Sequence, residues 1–347
     1  MCAFRWVSPD CSWYEHHMLD GCQRPEMSAE HCLRPAPSLA AALGQRSARI
    51  HSNPPRLLVV VPYRGDLASP SLEQLCSRLP VHLDRHNFKF VLLLVNQTDQ
   101  HPFNRGMLVN VAFTAMKQGL IRTLGKKNRS DWFTYMAIQD VDRFPVQSNH
   151  SCEIFTSTYY SDPGLIPRVL HPMSYTGGVL LVRTSVFHSL NGFSNMFWGW
   201  GHEDNELYLR FRQCGLRPSR APEIESCMQH IDCTECRNAK GDASMRSLRE
   251  ETRLIAIVQQ RIRDKRLHID EDGLSNVEFD VTSSSRQKKC GRHSMHILDV
   301  ALLTESVIAW QFVLSYGSLH RCQMFPDSKL CGELFSYAVQ IMVVAKK

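Results

Sequence analysis

Residues 132–142 read WFTYMAIQDVD, an apolar and aromatic run that hands over to two carboxylates. The stretch from Trp132 to Ile138 reads as a buried strand, with Asp140 and Asp142 just beyond it. If the chain stays extended, alternation puts both carboxylates on one side, and a short turn can aim one or both at a hard divalent cation. Such a cation would neutralise phosphate oxygens and a departing diphosphate. A turn or acidic surface pair is the competing reading.

Working outward, similar runs recur at helix-length intervals. Leu57 to Val61 follows Pro54 and Pro55 and is β-branched, and Phe88 to Val95 is a second apolar run; both read as strands. Leu72 to Leu83 between them suits an irregular helix. Asn104 can cap a helix over 105–118, where Leu108, Val111, Ala112 and Ala115 share a face and Gly119 supplies the stop. Gly177 and Gly178 introduce the strand Val179 to Val182. From Glu203, Leu207, Phe211 and Cys214 form a stripe at helical spacing that ends at Gly215, placing Glu203 and Asp204 at a helix entrance. Val277–Val281 and His296–Val300 read as late strands, and Leu248 to Leu267 as a basic, helix-compatible stretch. Strands alternating with helices predict one mixed α/β catalytic domain over 55–300, between an N-terminal arm (1–54) and a C-terminal extension (301–347).

The 347-residue chain is 43% apolar and 21% charged, which excludes a collagen, a long coiled coil or a wholly disordered chain. Its formal charge of +6 favours an anionic partner without choosing one. No coherent groove-reading motif accompanies the basic stretch between Arg246 and Arg266, so no nucleic-acid partner is expected. Thirteen cysteines leave one over if the rest pair internally. Cys233 and Cys236 have CxxC spacing without a second such group, which favours a disulfide, thiol pair or turn over a zinc finger. Residues 1–50 contain no apolar run of roughly 20 residues, so no anchor or signal peptide is apparent there. Ile297 to Leu319 contains Asp299 and Glu305, which fits a buried element better than a lipid-facing span; membrane association through the tail stays open.

Two further clusters carry chemistry. His230 and Asp232 offer imidazole nitrogen and carboxylate oxygen two positions apart, suited to one metal, although nearby Cys227 would shift preference towards zinc. A polar turn with an inward cysteine is the alternative. Residues 198–204, WGWGHED, set aromatic surfaces in a glycine-rich segment that can cover a ligand, next to carboxylates that can orient hydroxyls and accept a proton. Aromatic packing and helix capping are the bland readings.

The chain resembles the β-1,4-galactosyltransferase family, most closely its xylosylprotein galactosyltransferase branch. The resemblance rests on VPYR at 61–64, NQTDQHPFNRGMLVNVAF at 96–113, QDVD at 139–142, YTGGVLL at 175–181 and NGFSNMFWGWGHEDNE at 191–206, continuing more weakly through MQHID and DGLSNVEFDV to 281. It implies a GT-A glycosyltransferase with a Rossmann-like mixed sheet and a Mn²⁺-dependent UDP-galactose site. By that resemblance Pro62, Tyr63, Arg64, Phe103 and Arg105 belong to the uridine-binding region. In the Asp140-Val141-Asp142 triplet, Asp142 would ligate the metal and Asp140 contact the sugar nucleotide. Tyr175, Gly177 and Gly178 would shape the donor and acceptor pocket, and Trp200, with Gly201, would close over the substrates. Glu203 would orient hydroxyls, Asp204 act as catalytic base and His230 complete the metal site.

The implied reaction is inverting transfer of galactose to β-xylose of the proteoglycan linker. Transfer to another glycan acceptor, including N-acetylhexosaminyl transfer, and a catalytically weakened sugar-binding homologue are the alternatives. Asn205 stands where the family commonly has a second acid; its amide can hold a sugar hydroxyl in the acceptor site but carries no charge. Asp232 replaces the second histidine of the branch's HxH and is a provisional ligand. Golgi residence follows from resemblance alone. Sequons at Asn96, Asn128 and Asn149 would permit glycosylation there, although folding could hide Asn96.

Overall fold

The computed structural model describes residues 56–121, 133–146, 150–171, 176–199, 202–220, 222–231, 269 and 272–303. The chain divides into two units at Leu302, and apart from Leu303 the described residues all belong to the first. The expectations for Leu248–Leu267, the Cys233–Cys236 pair, the sequons at Asn128 and Asn149 and the C-terminal extension fall outside the described residues.

The apolar runs form the strands expected of them. They are β1 (Arg56–Tyr63), β2 (Lys89–Gln97), β3 (Tyr135–Gln139) and β6 (Val179–Arg183). With β5 (Arg168–Val169), β8 (Phe279–Cys290) and β9 (His293–Leu302) they make a seven-stranded sheet in the order β5-β6-β3-β1-β2-β9-β8. The inner strands β3, β1, β2 and β9 run parallel, and β6, β5 and β8 add antiparallel edges. The last hairpin is longer than its apolar residues foretold. The polar run Ser283–Lys289 hides β8, because an edge strand at the surface needs no apolar face on its outer side.

Alternation along β1 divides the core. Leu58 and Val60 join one apolar cluster with helix α2 (Arg105–Gln118), while Leu57, Val59 and Val61 join another with helix α1 (Pro70–Arg85). The Asn104 side chain accepts from the Met107 amide at 2.9 Å, and Gly119 ends the helix at φ 67°, which together bound α2 at the expected residues. The remaining elements are β4 (Arg143–Pro145), α3 (His150–Tyr160), α4 (Thr184–Ser189), α5 (Glu203–Gln213) and β7 (Met228–His230), which pairs antiparallel with β4.

Disulfides join Cys76 to Cys290 and Cys152 to Cys227. The inward cysteine beside His230 is therefore a cross-link to α3 and cannot be a zinc thiolate.

The first strand pairs with β2 on one side and β3 on the other, so the strand order reverses there. The crevice outside the carboxyl ends of β1 and β3 is where such a sheet binds ligands. Tyr63 ends β1 and Asp140 follows β3 directly.

Candidate active site

The carboxyl end of β1 is braced from both sides. Tyr63 is buried, and its hydroxyl donates to the Asp66 carbonyl at 2.5 Å and meets Ser69 Oγ at 2.8 Å. Its contribution is therefore to hold the loop after Pro62. Arg64 donates to the Asp99 carbonyl at 3.0 Å and to the His101 carbonyl, fixing the loop that leads into Phe103. The Phe103 carbonyl accepts from the Gly199 amide at 2.7 Å, so the FNR and WGWG motifs meet.

Arg105 stands at the centre of the charge. Its Nε donates to Asp140 Oδ1 at 2.8 Å, and its NH1 lies 3.8 Å from Glu203 Oε1. Burial opposes the guanidinium charge, but Asp140 and Glu203 more than compensate and raise its pKa. NH1 and NH2 are buried and have no hydrogen-bond acceptor among the described residues. These orphaned donors point to an anionic or hydroxyl-rich ligand.

Asp140 is clamped by Gly178. The Gly178 amide donates to Asp140 Oδ2 at 3.1 Å, while the Asp140 amide donates to the Gly178 carbonyl at 2.9 Å. This approach needs glycine: φ is 81°, and a Cβ would stand 3.0 Å from Leu170 Cδ2 and 3.2 Å from His171 Nε2. Val141 packs into the apolar cluster on the α1 side, so only its backbone remains to face a ligand.

Asp142 meets a different partner. The β4–β7 pairing sets Arg143 opposite His230, and this brings His230 Nε2 to 3.5 Å from Asp142 Oδ2. Two donors of one octahedral ion with bonds of about 2.1 Å stand about 3 Å apart, so a small closure would let this pair share a divalent cation. One hard oxygen and one imidazole suit manganese. Among the described residues no cluster of three or more metal-ligating side chains occurs; Asp232, the provisional third ligand, lies outside them.

Glu203 and Asp204 sit at the entrance of α5, as the helical stripe required. Glu203 is buried; Asp204 keeps partial exposure and accepts the Asn205 amide on Oδ1 at 2.8 Å. Thr176, from the YTGG motif, donates to the Asp204 carbonyl at 3.2 Å. Burial and then the Glu203 carboxylate push the Asp204 carboxyl up to about 7, against the opposing pull of Arg105 and the Asn205 amide. A carboxylate tuned near neutrality suits a general base. Tyr175, Trp200 and Gly201 lie outside the described residues.

The structure adds His171, which the sequence did not single out. It lies beneath Gly178, its Nδ1 is 3.4 Å from Glu225 Oε1, and burial lowers its pKa. No local motif marks it, because its neighbours are Gly178, just before β6, and Glu225 in the short 3-10 helix 222–227.

Comparison with known proteins fits this arrangement. Residues 44–152 match the N-terminal region of glycosyl transferase group 7, and residues 168–232 match the N-terminal domain of galactosyltransferase. A Homo sapiens β-1,4-galactosyltransferase 7 is 31% identical over 238 residues, covering 66% of this chain and 63% of that protein. A Drosophila melanogaster β-1,4-galactosyltransferase 7 is 32% identical over 174 residues, 49% of each chain. The chain thus spans about half to under two thirds of these relatives' lengths. A crystal structure of a mutant Drosophila β-1,4-galactosyltransferase 7 with manganese, UDP-Gal and xylobiose aligns at a TM-score of 0.54 and 25% identity, covering 72% of this chain and 94% of that one. The shared fold is GT-A. The first family segment takes in Arg105 at the start of α2 and Asp140 and Asp142 in the turn between β3 and β4, the second takes in Asp204 at the entrance of α5, and the chain belongs to the β-1,4-galactosyltransferase family.

Proposed function

We propose that the protein transfers galactose from UDP-galactose to the hydroxyl of a β-xylosyl acceptor, with inversion at galactose C1. The observation that carries this reading is the convergence of Asp140, Arg105, Glu203 and Asp204 at the carboxyl end of β3, with the Asp142–His230 pair beside it. The manganese, UDP-Gal and xylobiose named for the Drosophila relative support the choice of metal, donor and acceptor.

Asp140 and the free donors of Arg105 orient the donor sugar and its phosphates, while Glu203 orients hydroxyls. Asp204 takes the acceptor hydroxyl proton as that oxygen bonds to galactose C1 and the bond from C1 to the UDP oxygen breaks. Mn²⁺, held by Asp142 and His230 with Asp232 as a provisional third ligand, would supply positive charge beside the departing diphosphate. Attack opposite the leaving group converts the α-linked donor to a β-linked product.

Two disulfides in the described residues support residence in an oxidising secretory compartment, the Golgi lumen for this chemistry. No helix of the described residues is long and apolar enough to cross a membrane. Proteoglycan linker assembly is the process this acceptor implies.

The test is turnover by purified protein with Mn²⁺ across a donor-by-acceptor panel. Preferential use of UDP-galactose with a β-xyloside supports the reading. Preference for an N-acetylglucosamine-terminated acceptor would replace the substrate assignment. Sugar binding without turnover would make the chain a binding protein on a transferase scaffold.

A further inference from the structure

The stretch DGLSN at 272–276 has no part in the chemistry above, yet it opens on a fully buried carboxylate. Asp272 is 1% exposed. Its Oδ1 accepts the Asn195 amide at 2.8 Å, its Oδ2 accepts Ser194 Oγ at 2.5 Å, and Oδ2 also faces Arg210 NH2 at 3.7 Å. Arg210 is itself fully buried on α5. Its Nε donates to both Glu206 oxygens at 3.0 and 2.8 Å, and its NH1 donates to the carbonyls of Leu190 and Gly192, each at 3.2 Å.

Asn195 spreads the network further. Its Nδ2 donates to the Gly273 carbonyl at 2.7 Å and to Asn276 Oδ1 at 2.9 Å. Its Oδ1 accepts from Asn110 Nδ2, and its carbonyl from Asn104 Nδ2, both at 2.8 Å. Asn104 caps α2, whose first residue is Arg105, and Glu206 lies in the first turn of α5 with Glu203 and Asp204. Backbone closes the same junction: Leu274 donates to the Asn191 carbonyl at 2.7 Å, and Gly273 at φ 149° leaves no room for a Cβ there.

A buried cluster of Arg210, Glu206 and Asp272 is a poor device for stability alone, because apolar side chains of similar volume usually do as well. What it provides is direction: each polar atom accepts only certain partners at certain angles. We propose that Asp272 is a positioning residue for Asp204, holding the 191–195 loop and α5 in one register so that the base faces the Arg105–Asp140 pair. The catalytic consequence rests on the galactosyl-transfer reading; the geometric one does not.

The test compares Asp272→Asn and Ser194→Ala with the wild type. Asp272→Asn sets an amide N–H against Arg210 NH2, and Ser194→Ala removes one arm of the network without changing charge. For each folded variant the Asp204 carboxyl is titrated by carbon-13 NMR, assigned by difference from Asp204→Asn, and single-turnover transfer is measured per UDP-binding site. Both variants should displace the Asp204 midpoint by about 0.5 pH unit or more. The rate per site should fall about tenfold or more, as misplacement of a reacting group does, with donor affinity held within about twofold. Variants that melt earlier but keep the wild-type titration and per-site rate would reduce Asp272 to a structural role and overturn the proposal. If Asp272→Asn does not fold, Ser194→Ala decides on the same criteria. A wild type that binds UDP but never transfers galactose would remove the galactosyl reading, and the titration would still decide the positioning.

Discussion

His230 Nε2 lies 3.5 Å from Asp142 Oδ2, although one residue ends β7 and the other precedes β4. The β4–β7 ladder makes this contact, and the Ile231 amide reinforces it by donating to the Asp142 carbonyl at 3.1 Å. The Cys152–Cys227 disulfide ties the approach to β7 onto α3. A metal held by this pair would depend on the ladder as much as on its ligands.

Asp142→Asn and His230→Ala should each weaken Mn²⁺-dependent UDP binding by at least the roughly 10- to 100-fold that even outer-shell partners of a metal contribute. Calorimetric titration of UDP with and without Mn²⁺, beside circular dichroism as a fold control, reads this directly. Wild-type metal dependence in both folded variants would remove them from the ligand set.

Asp204→Asn should lower the single-turnover rate by roughly 10² to 10⁴ while donor and acceptor still bind. In the wild type the rate should climb with pH and level off above about 7, because only the ionised carboxylate accepts the proton. Glu203→Gln removes the largest neighbouring charge that raises Asp204, and should move the midpoint of that profile down. An unmoved midpoint would mean that another group titrates.

The same carboxyl costs the fold stability. Its folded-state pKa is raised from 3.8 to about 7, so between those values the folded protein holds a proton that the unfolded chain releases. Stability contributed through Asp204 therefore falls as pH rises through this window and stays low above it. Asp204→Asn should melt higher than the wild type at pH 8 and lose that advantage near pH 4, as thermal melts across the range would reveal. Equal melting temperatures at pH 8 would contradict the burial of this charge.

Gly178→Ala should destabilise by about 1–3 kcal/mol through the strained backbone, and more if Leu170 cannot yield. It should also loosen Asp140, which exchanges two hydrogen bonds with Gly178. A lower urea midpoint together with weaker UDP binding is the expected pair of results. Unchanged binding would detach Gly178 from donor recognition.

Asn96 should carry no glycan even when the chain passes through a glycosylating compartment. Asn96 is buried, its Nδ2 donates to Asp299 Oδ1 at 2.9 Å, and the sequon's Thr98 hydroxyl donates to the Val300 carbonyl at 3.0 Å. Glycopeptide mapping of secreted protein tests this, and full occupancy would mean that modification precedes the pairing of β2 with β9. Asn96→Ala should instead cost about 1.5–3 kcal/mol, the worth of a hydrogen bond to a charged group.

The α/β architecture was legible in the sequence because short apolar runs, a capped helix and glycine stops are local signals. Leu57–Val61 and 105–118 needed no partner to be read, and Asp140, Asp142 and Asp204 could be placed just past a strand and at a helix entrance. The family motifs implied roles no further than their own residues reach. Tertiary structure alone decided which of these groups meet: Arg105 between Asp140 and Glu203, His230 beside Asp142, Cys227 consumed by Cys152, Asn96 closed off by Asp299, and Asp272 beneath the 191–195 loop. Those contacts join segments far apart in the chain. Periodicity and spacing carry information over a few turns, whereas the direction of a buried charge is set by whatever strand or helix packs against it.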